Sequence, residues 1–101
     1  MTPDIAARID ALSALLDAMD EASGVEAFQS YAAIKTLCAD LGAAAEDYAS
    51  GNIAMILDTV EQHAAALAGL MPSWDLPREQ HRAGARAAIH KLAMPTCFGR
   101  P

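Results

Sequence analysis

At 101 residues the chain has room for one domain built round one core. Hydrophobic residues make up 53%, yet 24 residues are alanine and only two are valine and five aromatic. That mixture excludes a β-sandwich or barrel, whose strands need β-branched and aromatic side chains. The net charge of −6 argues against a surface built to hold nucleic acid or an anionic membrane.

Thr2-Pro3-Asp4 reads as a helix start, with a capping hydroxyl, proline at the first helical position and an acid near the positive end of the dipole. Ile5, Ile9, Leu12, Leu16 and Met19 then recur at spacings of four and three, an apolar stripe that must face partner helices. The pattern predicts a first helix over residues 3–22, with Arg8, Ser13, Asp17 and Glu21 on its outer side. Ser23-Gly24-Val25-Glu26 is a turn and capping box, serine capping and Glu26 reaching back.

The second stripe is Tyr31, Ile34, Cys38, Leu41, Ala45 and Tyr48, flanked by Phe28 and Leu37. It continues through Gly42, so one helix is expected over residues 24–49. Gly42 costs about 1 kcal/mol relative to alanine there, and close approach of another helix is the expected compensation. Ser50-Gly51-Asn52 ends that helix and caps the next. Ile53, Ile56, Leu57, Val60, Ala64, Leu67, Leu70 and Met71 give the third helix a wide apolar face until Pro72 stops it. Pro77 restarts the chain as a fourth helix, which Pro95 ends after residue 93. Its expected inner side is His81, Ala85, Ala88, Ile89 and Leu92. Only two of those are large and apolar, so it docks with less driving force than the first or third helix.

The expected architecture is therefore all-α, an up-down-up-down four-helix bundle of three core helices and a weaker C-terminal one. Residues 1–95 form the domain, and residues 96–101, rich in glycine and proline, form a flexible tail. Cys38 and Cys97, far apart and without a CxxC motif, fit a reducing cytoplasm. No basic leader and no apolar run of membrane-spanning length are visible in the sequence, so a cytoplasmic protein without a membrane partner is expected.

Charge is divided along the chain. Residues 1–77 carry a net −10 and residues 78–101 a net +4. Arg78, Arg82, Arg86 and His90 follow one another at intervals of four, a basic ridge suited to acidic groups on another protein. The same ridge can instead lie over the bundle and pair with its own carboxylates. Nucleic acid is not the expected ligand, because no helix-turn-helix spacing, basic excess or stacking aromatics accompany the ridge. Trp74, between Pro72 and Pro77, is either a lid on the core or an anchor for a partner.

His63 stands in line with Ile53, Ile56, Val60, Leu67 and Leu70, which sets it on or beside the apolar face. A histidine there is expected to bond a carbonyl, water or a neighbouring helix. It is also the one candidate phosphoacceptor, although no lysine follows it in His63-Ala64-Ala65-Ala66-Leu67-Ala68-Gly69. Metal is not expected. In Glu61-Gln62-His63 and Glu79-Gln80-His81 the acid precedes the histidine by two places, and residues two apart point to different sides of a helix. Nor does the sequence hold a nucleophile elbow, phosphate loop or cofactor motif.

The functional expectation is a non-enzymatic, cofactor-free interaction or regulatory module. It would form a homodimer and bind another protein through Trp74, Arg78, Arg82 and Arg86. The alternatives are a histidine-phosphotransfer-like signalling domain using His63, a small acidic inhibitor that mimics nucleic-acid charge, and a small-molecule site in an alanine-lined gap beside Gly42.

Overall fold

The computed structural model describes residues 1–19, 24–48, 52–70 and 76–99. It contains four long helices, α1 (Pro3–Met19), α2 (Val25–Ala44), α3 (Ile53–Leu67) and α4 (Arg78–Ala93), and a single-turn α5 (Pro95–Phe98). The long helices form an all-α bundle running alternately up and down, each packed on the next and α4 closing back on α1. The bundle measures 38 × 23 × 17 Å.

The first helix forms for the reasons its sequence gives. The Thr2 hydroxyl accepts a hydrogen bond from the Ile5 amide at 3.2 Å, satisfying one of the donors that every helix start leaves over. All five stripe residues, Ile5, Ile9, Leu12, Leu16 and Met19, are buried, at about 1.5–3 kcal/mol each for the large ones. The expected extension to residue 22 and the Ser23 cap lie outside the described residues, and the residue that caps α2 is Gly24.

Helix α2 runs unbroken through Gly42 and tightens into a 3₁₀ turn at Ala45–Asp47. Ile34, Cys38 and Leu41 are buried, while Phe28 stays 48% exposed. Gly42 does not mark a tight helix crossing. A methyl group there would meet Leu57 Cδ1 at 3.8 Å, an ordinary van der Waals contact.

Two boundaries differ from the sequence pattern. The expected stop of the third helix at Pro72 is replaced by an earlier one, at Gly69. Gly69 adopts φ 78°, its amide donates to the Ala66 carbonyl at 3.1 Å, and the Leu70 amide donates to Ala65 at 2.9 Å. This is a Schellman closure, which needs a residue free to enter the left-handed region. The apolar pattern carries on to Leu70 and Met71 because burial periodicity does not register such a cap.

The second difference is at the C-terminus. In place of a flexible tail from residue 96, Pro95 opens α5, and Cys97 and Phe98 are buried. Met94 is extended (φ −74°, ψ 149°), which turns the chain back across the bundle. Proline then suits the first position of the new turn. Phe98 is fully buried and meets Tyr48 edge-to-face, with ring centroids 5.1 Å apart. A buried phenyl ring supplies enough apolar area to order a short turn. Residues 100 and 101 lie outside the described residues.

Helix α4 turns inward the face expected of it: His81, Ala85, Ala88, Ile89 and Leu92 are buried. Its tightest packing is with α3. Small residues make that possible, Ala64 and Ala65 on one helix and Gly84, Ala85 and Ala88 on the other. Among the described residues no helix is long and apolar enough to cross a membrane.

Candidate functional site

The α3–α4 seam holds the one polar side chain among the buried described residues. His81 is 1% exposed, and its Nδ1 lies 3.0 Å from Nδ1 of His63, with the rings tilted by 57°. One of the two nitrogens donates and the other accepts, so a single proton occupies the contact. Burial, and then the neighbouring His81, push the His63 pKa below its ordinary 6.5. His63 is thus the bundle-edge histidine bonded to a neighbouring helix that its position in the stripe predicts.

Gly84 completes the arrangement. A Cβ built on it would run into the His63 ring, touching Nε2 and lying 2.8 and 2.9 Å from Cε1 and Cδ2. The imidazole therefore rests on bare α4 backbone, with Nδ1 on His81 and Nε2 facing Gly84. Both nitrogens of His63 point into the seam. A phosphoryl group on either would need the ring to leave it, so this geometry gives no support to a phosphoacceptor role.

The sequence set His63 and His81 each on or beside an inner face but did not bring them together, and it did not single out Gly84. The missed signal is register. In two antiparallel helices joined by one connection, residues equally distant from its midpoint face each other, and His63 and His81 are each nine places from Pro72. Gly84 then lies one turn beyond His81 on the same side of α4.

The arginine ridge is drawn back onto the bundle. Arg78 Nη1 donates to the Leu67 carbonyl at 2.9 Å, holding the C-terminal end of α3, where a cation is favoured. Arg86 pairs with Asp17 of α1. Other carboxylates of the bundle have different partners. Asp40 instead meets Arg8 at 3.8 Å, and the Asp58 carboxylate accepts from Gln62. Arg82 is half-buried. Trp74 lies outside the described residues.

Cys38 and Cys97 are free and buried. Burial, reinforced by Glu61, pushes the Cys38 thiol up to about 12, which makes it a core residue rather than a nucleophile. Among the described residues no three metal-ligating side chains converge.

Seven large apolar side chains are exposed among the described residues. Four of them, Val25, Phe28, Leu70 and Leu76, belong to one end of the bundle, where α2 begins, α3 ends and α4 starts. Glu26 and Arg78 are exposed at the same end. No family model, curated protein or solved structure matches this chain.

Proposed function

We propose that the chain is a non-enzymatic interaction module that pairs with a second copy of itself through the end of the bundle where α2 begins and α3 leads to α4. The observation that carries this reading is the exposure of Val25, Phe28, Leu70 and Leu76 together at that end. Apolar side chains gathered in one place mark association surfaces more often than scattered ones do. The end is also complementary to itself. Glu26 stands on its α2 side and Arg78 on its α4 side, so a two-fold axis would set each Arg78 against the Glu26 of the second copy. A guanidinium has five donors, and Arg78 can keep the Leu67 carbonyl while meeting a carboxylate.

The broader reading, another protein held by Arg78, Arg82, Arg86 and Trp74, is weakened because Asp17 already pairs with Arg86. Buried, unpaired thiols support a reducing cytoplasmic setting.

Light scattering over a concentration series tests the proposal. A mass that rises from one chain to two, and stays at one in Phe28→Asp, is the expected result. Glu26→Arg weakens the pairing, and Glu26→Arg with Arg78→Glu restores it. A single-chain mass at every concentration refutes self-association. Pairing that persists in Phe28→Asp places the interface elsewhere.

A further inference from the structure

We propose that the cavity between the first turn of α3 and the corner from α4 to α5 is a site for one soft monovalent metal ion, Cu(I), held by the Met55 and Met94 thioethers and the Cys97 thiolate. The cavity has a volume of about 500 Å³, and three of the seven residues that line it carry sulfur. No three histidine, cysteine or carboxylate side chains converge among the described residues. Methionine widens the donor set, and donors that are all sulfur suit Cu(I).

The corner brings two of the sulfurs together for a local reason. Met94 is the extended residue that precedes α5, and Cys97 is the third residue inside it. The Cys97 amide donates to the Met94 carbonyl at 3.1 Å, which closes a Met-Pro-Thr-Cys turn. These are the two positions whose side chains meet in a capping box. Met55 comes from the first turn of α3, across the cavity. Cys97 is buried, whereas Met55 is 69% and Met94 41% exposed. Neither methionine is locked into the core, and each has three rotatable side-chain bonds, so both thioethers can close over the Cys97 sulfur without a backbone shift.

Binding exchanges the Cys97 S–H bond for a sulfur–copper bond. The proton leaves to solvent, each thioether donates a lone pair, and no oxidation state changes. Thiolate and Cu(I) together are neutral, so Lys91 in the cavity wall meets no net charge. Among the described lining residues there is neither a carboxylate nor an imidazole, which disfavours hard cations and leaves zinc short of ligands. Cys38, the other thiol, does not line the cavity. The site lies at the end of the bundle opposite Val25, Phe28, Leu70 and Leu76, so it stands or falls independently of the pairing proposed there.

The test is competition for Cu(I) between the whole reduced chain and the chromogenic chelator bicinchoninate, in the absence of oxygen. The wild type is expected to withdraw one Cu(I) per chain. Met55→Leu and Met94→Leu remove a sulfur while keeping an apolar side chain of similar size, and both positions are exposed, so the fold persists; circular dichroism checks it. Outer-shell partners of a metal are typically worth about 10–100-fold in affinity and a direct ligand at least as much, so each leucine variant should bind about tenfold more weakly or worse. Cys97→Ala should abolish binding and Cys38→Ala should leave it intact. Failure of the wild type to take copper from the chelator overturns the proposal. An unchanged affinity in either leucine variant also overturns it, since copper would then sit without that thioether. Zinc held as tightly as Cu(I) by the wild type would overturn the choice of a soft ion.

Discussion

Substituting Gly84 with alanine should reverse its usual effect on a helix. At an open helical position the change stabilises by about 1 kcal/mol, since glycine is the costlier residue. Here the new methyl would occupy the space of the His63 ring. Overpacking of that kind costs about 1–3 kcal/mol. If the ring moves away instead, the part-buried hydrogen bond with His81 is lost, also at about 1–3 kcal/mol. After the propensity gain of about 1 kcal/mol, a net destabilisation of about 0–2 kcal/mol is expected. Removing the obstacle should restore the normal sign, so in a His63→Ala background the same substitution stabilises by about 1 kcal/mol. The coupling between the two sites is then about 1–3 kcal/mol, as for residues in direct contact. Urea unfolding followed by circular dichroism on the four chains of the cycle measures it, provided the denaturant slope stays constant. Gly84→Ala stabilising both backgrounds alike would refute the ring-on-backbone packing.

Three further outcomes follow from the packing. Phe98→Ala, in a segment whose sequence reads as a tail, should cost about 3–5 kcal/mol because the ring is fully buried; a loss near zero in thermal or urea unfolding would show α5 undocked. Gly42→Ala should stabilise by about 0.5–1 kcal/mol, since the nearest atom to the added methyl is Leu57 Cδ1 at 3.8 Å; destabilisation would mean a tighter α2–α3 contact than described. Cys38 should resist a thiol reagent at mildly alkaline pH until the protein unfolds. Its thiol stays protonated in the fold, so stability is untouched below the ordinary value of 9.0 and declines as pH rises from there towards about 12. Rapid labelling of Cys38 in the native protein would contradict this.

The stripe of α1 was readable in full because it has large aliphatic residues on one side, charges on the other and a strong cap at Thr2. The inner face of α4 was readable too, down to its two alanines and histidine. Hydrophobic periodicity reports which side of a helix is covered, and it did so here even for a helix poor in large side chains. It does not report where the backbone turns. Gly69 ends α3 through a φ that only the residue type hints at, and Phe98 lies beyond a proline that looks like a terminator. The histidine pair needed one further step, matching two helices in register across their connection, because a contact between helices leaves no trace in the pattern of either one. The arginines admit two readings for a related reason. Their spacing defines a ridge, but a flexible side chain of that length can fold back on its own bundle, as Arg78 does to Leu67.

The turn at Gly69 and the Arg78 clasp on Leu67 together fasten the two helices at the point where they part company. The clasp joins Arg78 to a carbonyl 11 places earlier in the chain, so the end of α3 and the start of α4 are pinned to each other directly, as a rivet pins two rods.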